Sequence, residues 1–141
     1  MAEYVISTDP HAIDRNLVFR FLHEDAYWSA GLPREIFDRS IEASLCFSAF
    51  EPRGGPQVGF ARVVTDGATF AWLCDVFVLP EHRAKGVARE LMDAVMAHPD
   101  LRDVRNFLLA TRDAHGLYAR YGFAPLAEPS RWMAIRRPYR S

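Results

Sequence analysis

Residues 69–96, TFAWLCDVFVLPEHRAKGVARELMDAVM, constrain this chain more than any other stretch. Ala71 to Leu79 is nearly unbroken apolar sequence, rich in Val, Phe and Trp. That is the pattern of a strand covered on both faces rather than one with a wet side. Pro80 lacks the N–H that a central strand needs, so the strand is expected to stop there. A polar turn follows. Val87, Leu91 and Val95 then recur at every fourth position, with Ala88 and Met92 beside them, the spacing of a helix with one apolar face. Gly86 stands where that helix opens.

The start of such a helix has a chemistry of its own. Its first backbone N–H groups have no partner inside the helix and carry partial positive charge. They take an anion, most naturally a phosphate. Gly86 and Ala88 are small, so backbone can come close to a bulky ligand. Arg83 and Lys85 put cations at the same end, where they oppose the helix dipole unless an anion offsets them. A solvated basic turn is the competing explanation, for Lys85 above all.

Arg83-Ala84-Lys85-Gly86-Val87-Ala88 resembles the Q/R-x-x-G-x-G/A pyrophosphate loop of the GNAT superfamily of N-acetyltransferases. Its setting is similar too, after a strand ending Val-Leu-Pro and at the opening of an amphipathic helix. Downstream, Ala114 to Phe123, AHGLYARYGF, resembles the family's A-x-x-LY-x-x-x-GF segment. The two matches come in the family's order and separation and cover the C-terminal half.

Bounds from the whole sequence agree. The 141 residues make one domain, 1–141, long enough for a substantial core. Hydrophobic residues are 50% and charged ones 25%, as in a water-soluble globular chain. The net charge of -1 gives no basic field for nucleic acid, and the apolar runs are too short to cross a bilayer. The opening MAEYVISTDPH lacks the parts of an export signal. Cys46 and Cys74, the two cysteines, lie in apolar strand-like sequence, which implies reduced core thiols and a cytoplasmic protein. Nothing has the spacing of a zinc site, so no metal is expected.

Along the chain, Tyr4–Ser7 is expected as a strand, and Asp14–His23 as a helix with Leu17, Val18 and Phe21 along its stripe. A second helix starts at Pro33 and runs to about Ser44, with Ile36, Phe37 and Ile41 inward. Strands follow at Leu45–Phe50 and Gln57–Thr65, the latter closed by the Asp66-Gly67 hairpin turn. After the central strand and helix come a strand at Val104–Thr111 and a helix at Ala114–Tyr121 capped by Gly122. A hairpin of Phe123–Leu126 with Trp132–Ile135 completes the order, and Arg136 to Arg140 is a polar tail. This order gives an α/β (α+β) chain with one mixed sheet and helices on both faces. The GNAT resemblance implies a mostly antiparallel sheet with a splayed pair of parallel strands.

The resemblance also implies a function: acetyl-CoA-dependent transfer of an acetyl group to a primary amine, by direct attack in a ternary complex. In that family Arg83, Ala84, Lys85, Gly86, Val87 and Ala88 would wrap the coenzyme A diphosphate. Cys74, Val76, Phe77 and Val78 would line the pantetheine arm as an added strand, and an N–H near Val76–Val78 would serve as oxyanion donor. Thr111 would also contact the arm, although many members carry Asn there, as many carry Gly at Ala84. Tyr118 matches the tyrosine that protonates the departing thiolate; Tyr121 is expected only to pack.

Asp75 interrupts an apolar strand, where an unpaired carboxylate is costly. It is either the base that takes the amine's proton or a structural acid held by backbone or an arginine. Asp113, otherwise a helix cap, and His115 are the alternatives for the base. Glu24, Asp25, Tyr27 and Trp28 combine carboxylates and aromatic faces suited to an ammonium group, and are the candidate acceptor site. A homodimer is common in such families. The alternative to an enzyme is a non-catalytic acyl-CoA-binding sensor or interaction module. A P-loop protein is excluded, because the Gly-Lys-Ser/Thr ending is missing.

Overall fold

The computed structural model describes residues 3–139; Met1, Ala2, Arg140 and Ser141 lie outside it, and with them the last basic residue of the expected tail. In chain order the strands are β1 (Val5–Ser7), β2 (Leu45–Phe50), β3 (Gln57–Thr65), β4 (Phe70–Val78) and β5 (Asn106–Leu109). The helices are α1 (Arg15–Arg20), α2 (Arg34–Glu42), α3 (Val87–Ala97) and α4 (His115–Ala119). The sheet runs β1-β2-β3-β4-β5. Its first three pairings are antiparallel and β4 with β5 is parallel. This is the mixed sheet with helices on both faces that the sequence implied.

Two clusters sandwich the sheet. On one face Val87, Leu91, Met92 and Val95 of α3 pack on Phe47, Ala61, Val63, Ala71 and Leu73. On the other, Val18, Phe21, Phe37 and Ile41 pack on Cys46, Phe60 and Phe77. Each fully buried large side chain contributes about 1.5–3 kcal/mol. Ile36, expected inward, is 41% exposed. It lies one residue from buried Phe37, about 100° round the helix, outside a stripe already filled by Phe37 and Ile41.

Several side chains set where elements start. Asp14 caps α1 by accepting from the Leu17 N–H at 3.1 Å. The Asp14 N–H in turn donates to Oε1 of buried Gln57 at 2.8 Å, tying α1 to β3. The helix then widens into a π turn over Phe21–Asp25. Gly59 lets α3 close on the sheet: a Cβ there would stand 3.2 Å from Val87 Cγ1 and 3.3 Å from Leu91 Cδ1. At the β3–β4 turn, Asp66 Oδ1 accepts from the Ala68, Thr69 and Phe70 N–H groups.

Two further expectations fail. The first half of β4 is not covered on both faces. Ala71 and Leu73 are buried, while Phe70 and Trp72 are 39% and 37% exposed, because Trp72 faces a cavity. The final hairpin does not form: residues 123–128 and 132–139 carry no strand. Strand propensity makes a strand only when the segment pairs with a neighbour, and neither of these segments does.

Candidate active site

The parallel pair β4–β5 is in register from Phe70↔Asn106 to Leu73↔Leu109 and no further. β4 continues to Val78 while β5 ends and the chain turns into α4. Opposite Ala61, β4 carries an extra residue: Arg62 pairs with Cys74, yet Phe60 pairs with Phe77. This bulge increases the local bend and twist. Asp75 sits in it at φ 54°, a left-handed conformation that Asp tolerates better than most residues.

Past the bulge the backbone is aimed. The Leu79 N–H donates to Val58 O on β3 at 2.8 Å. By strand alternation Phe77 also bonds toward β3, and the amides of Val78 and Val76 point to the side that β5 has left. The Phe77 ring stacks on Phe21 at 4.0 Å, so Phe77 belongs to the core and not to the open edge.

Two cavities lie along that edge. One, about 350 Å³, is bounded by Val78, His82, Arg83, Ala84, Gly86, Val87, Ala88, Arg89 and Leu117. It abuts the start of α3. Gly86 is the N-cap residue at φ 86° and no side chain caps the helix, so the first-turn N–H groups stay available. A Cβ at Gly86 would meet nothing within 4 Å. Ala84 is also left-handed, at φ 62°. Arg83 Nε donates to Val78 O at 3.0 Å, which closes that acceptor on the open edge. Lys85 does not line the cavity; Arg89, one turn on, does. Its side chain had no motif to mark it.

The second cavity, about 320 Å³, is lined by Tyr27, Trp28, Trp72, Cys74, Asp75, Val76, Thr111, Asp113, Tyr118 and Arg136, among others. Tyr118 is buried, and burial, with Tyr27 nearby, pushes its phenol above the ordinary value. It therefore keeps its proton at neutral pH. Burial likewise pushes the Cys74 thiol up to about 12, so it is no nucleophile.

Asp75 is fully engaged. Oδ2 accepts from Arg62 Nε at 2.7 Å and Oδ1 from Trp28 Nε1 at 2.9 Å. Arg62 also donates to Ser44 Oγ at 3.0 Å. Of the two roles open to Asp75, this is the arrangement of an acid held by an arginine. Thr111 Oγ1 accepts from the Ala114 N–H at 3.0 Å; Ala114 is the N-cap residue of α4 and no side chain caps the helix, so Asp113 does not take the capping place expected for it and bonds nothing among the described residues. His115 is exposed at the start of α4. Tyr121 bonds Asp93 Oδ1 at 3.0 Å and packs α4 on α3, as expected.

Of the acceptor candidates, Tyr27 and Trp28 reach the cavity, ring to ring at 5.2 Å. Glu24 and Asp25 are exposed on the π turn and do not line it. No motif marked Trp72 as a wall of the cavity, nor Arg112, whose guanidinium lies 3.8 Å over the Tyr27 ring. Arg136 is a cavity wall rather than a bare tail residue. Among the described residues no group of three metal-ligating side chains occurs, and no helix is long and apolar enough to cross a membrane.

A five-stranded mixed sheet whose parallel pair parts beside an uncapped, glycine-led helix is the fold of an acetyltransferase. The sequence agrees: residues 42–125 match the Acetyltransferase (GNAT) domain, and the chain belongs to the GNAT acetyltransferase family. A Gibberella zeae protein described as an acetyltransferase is 34% identical over 134 residues, covering 80% of this chain and 75% of that one. A crystal structure from Xanthomonas campestris, described as a GNAT-family acetyltransferase, superposes with TM-score 0.93 at 52% identity, covering 98% of this chain and 96% of that one. An aminoglycoside N-acetyltransferase solved with coenzyme A shares the fold, with TM-score 0.61 at 20% identity over 97% of this chain and 96% of that one.

Proposed function

We propose that this protein is an acetyl-CoA-dependent N-acetyltransferase acting on a primary amine by direct attack in a ternary complex. The observation that carries the proposal is the continuous open edge of β4, which joins the helix-start cavity at Val78 to the Tyr118 cavity at Val76. The residues fit coenzyme A. The α3 N–H groups are uncapped, Gly86 leaves open space in front of them, and Arg83 and Arg89 flank them.

Acetyl-CoA supplies the acyl group as an activated thioester. The first turn of α3, with Arg83 and Arg89, binds a diphosphate. The outward amides of Val76 and Val78 orient an amide-bearing arm as an added strand would be held. They also hold a carbonyl oxygen by N–H donation. Tyr118 keeps its proton in the buried wall of the cavity, ready for the sulfur that leaves. Tyr27 and Trp28 offer aromatic faces to the amine.

Asp75 positions Trp28 through its 2.9 Å bond. The amine's proton passes by water to Asp113, which lines the same cavity and has no partner among the described residues. A reducing compartment, the cytoplasm, suits the two free cysteines.

The test is an amine panel with acetyl-CoA and free-thiol detection, run beside Tyr118→Phe. Thiol release with at least one amine, reduced in the variant, supports the proposal. Binding with no turnover of any amine leaves the non-catalytic acyl-CoA-binding module. Absence of both defeats it.

A further inference from the structure

The acceptor end of the site carries positive charge that an amine does not need. Of the carboxylates lining the Tyr118 cavity, Asp75 is taken by Arg62 at 2.7 Å, which leaves Asp113. Against it stand two arginines. Arg136 lines the cavity and makes no hydrogen bond or ion pair among the described residues. Arg112 lies 3.8 Å over the ring of Tyr27, another wall of the cavity, and donates no hydrogen bond among the described residues. A guanidinium resting on an aromatic face keeps its N–H edge for a ligand and has lost part of its freedom beforehand.

Unpaired guanidinium groups at a cavity call for an anion. A polyamine would meet two cations there and a single free carboxylate, and like charges repel. A carboxylate suits the site better, because it takes two parallel N–H bonds from one guanidinium. Arg112 and Asp113 are consecutive, so the ligand's anion and cation must lie close together as well. The walls of Trp28, Trp72 and Leu109 are apolar. At about 320 Å³ the cavity is small for a ligand site.

Resting on N-acetyl transfer as the reaction, we propose that the acceptor is an α-amino acid with an apolar or aromatic side chain. Arg136 and Arg112 hold its carboxylate, Asp113 faces its ammonium group, and Trp28 and Trp72 pack on its side chain. The neutral amine attacks the thioester carbon. The C–N bond forms and the C–S bond breaks, the amine's proton leaves by water to Asp113, and Tyr118 protonates the sulfur. The products are an N-acetylamino acid and the free coenzyme A thiol.

Steady-state turnover of phenylalanine and leucine is compared with that of phenethylamine and isoamylamine, which lack only the carboxylate. At least one amino acid should exceed its partner amine by about 10-fold or more in kcat/KM. Arg136→Glu should reverse that preference and Arg112→Gln should reduce it, through the KM of the acceptor and not that of acetyl-CoA. Arg136→Lys keeps the charge without the fork and should fall between. Arg136 is exposed, so its variants should melt as the wild type does. Equal turnover within both pairs, or an arginine effect on acetyl-CoA instead, overturns the inference and leaves N-acetyl transfer standing. If no amine turns over, N-acetyl transfer fails, and tryptophan fluorescence with coenzyme A present decides the inference. Quenching by the amino acids but not the partner amines, lost in Arg136→Glu, supports a carboxylate site; no such difference overturns it.

Discussion

The Trp28 indole donates to Asp75 at 2.9 Å, joining a loop residue to the bulge of β4 across 47 positions of sequence. The other carboxylate oxygen holds Arg62 at 2.7 Å, and the two side chains are only 18% and 11% exposed. Asp75→Asn keeps an oxygen for Trp28 but strands the Arg62 charge. Breaking a buried pair costs about 3–5 kcal/mol, and partial exposure reduces this to about 2–4 kcal/mol. Urea unfolding measures it. Replacing both partners, with Arg62→Met and Asp75→Leu, should restore most of the loss. In turnover, Asp75→Asn should raise the acceptor KM more than it lowers kcat. A collapse of kcat with KM unchanged would return Asp75 to the role of base.

Tyr118→Phe removes a hydroxyl that bonds no protein group among the described residues. Stability should therefore hold within about 1 kcal/mol, and coenzyme A affinity should be unchanged. The expected loss is in kcat, about 100-fold, the scale of a missing proton donor. Stopped-flow thiol detection beside calorimetric coenzyme A titration separates the two quantities.

At the start of α3, Gly86→Ala adds a Cβ to a residue at φ 86°. The strain costs about 1–2 kcal/mol, read from the melting curve. Coenzyme A affinity should fall about 10-fold or more as the diphosphate is pushed from the N–H groups. Arg89→Ala should weaken the same binding by about 5-fold or more, losing one charge-assisted contact. Lys85→Ala should change it little, because Lys85 does not line the cavity.

The thiols set an alkaline limit on stability. Burial raises Cys46 to about 11 and Cys74 to about 12 from 9.0. Below pH 9 both are neutral, folded or unfolded, and the stabilisation is fully present. Above it the unfolded chain ionises first, so stability falls as pH rises toward the folded values, by up to about 1.4 kcal/mol per pH unit for each thiol. Urea titrations at pH 8 and about pH 10 should show the decline, and Cys74→Ala should lessen it. Iodoacetamide at pH 8 should label the native protein far more slowly than the unfolded one.

The sequence alone determined the local grammar. Pro80 ended β4, Gly86 opened α3, Gly122 stopped the chain after α4, and the apolar spacing of Val87, Leu91 and Val95 named the face that packs. These are short-range effects of sterics and periodicity, written in neighbouring residues. Tertiary structure decided what depends on distant partners. Arg62 and Trp28 claim Asp75, and β5 stops at Leu109 to leave the amides of Val76 and Val78 open. Arg89, Trp72 and Arg136 become cavity walls, and Glu24 and Asp25 do not. The run at Trp132–Ile135 has strand propensity yet pairs with no strand. A side chain's role there is set by what the fold brings against it, and no window of local sequence contains that neighbour.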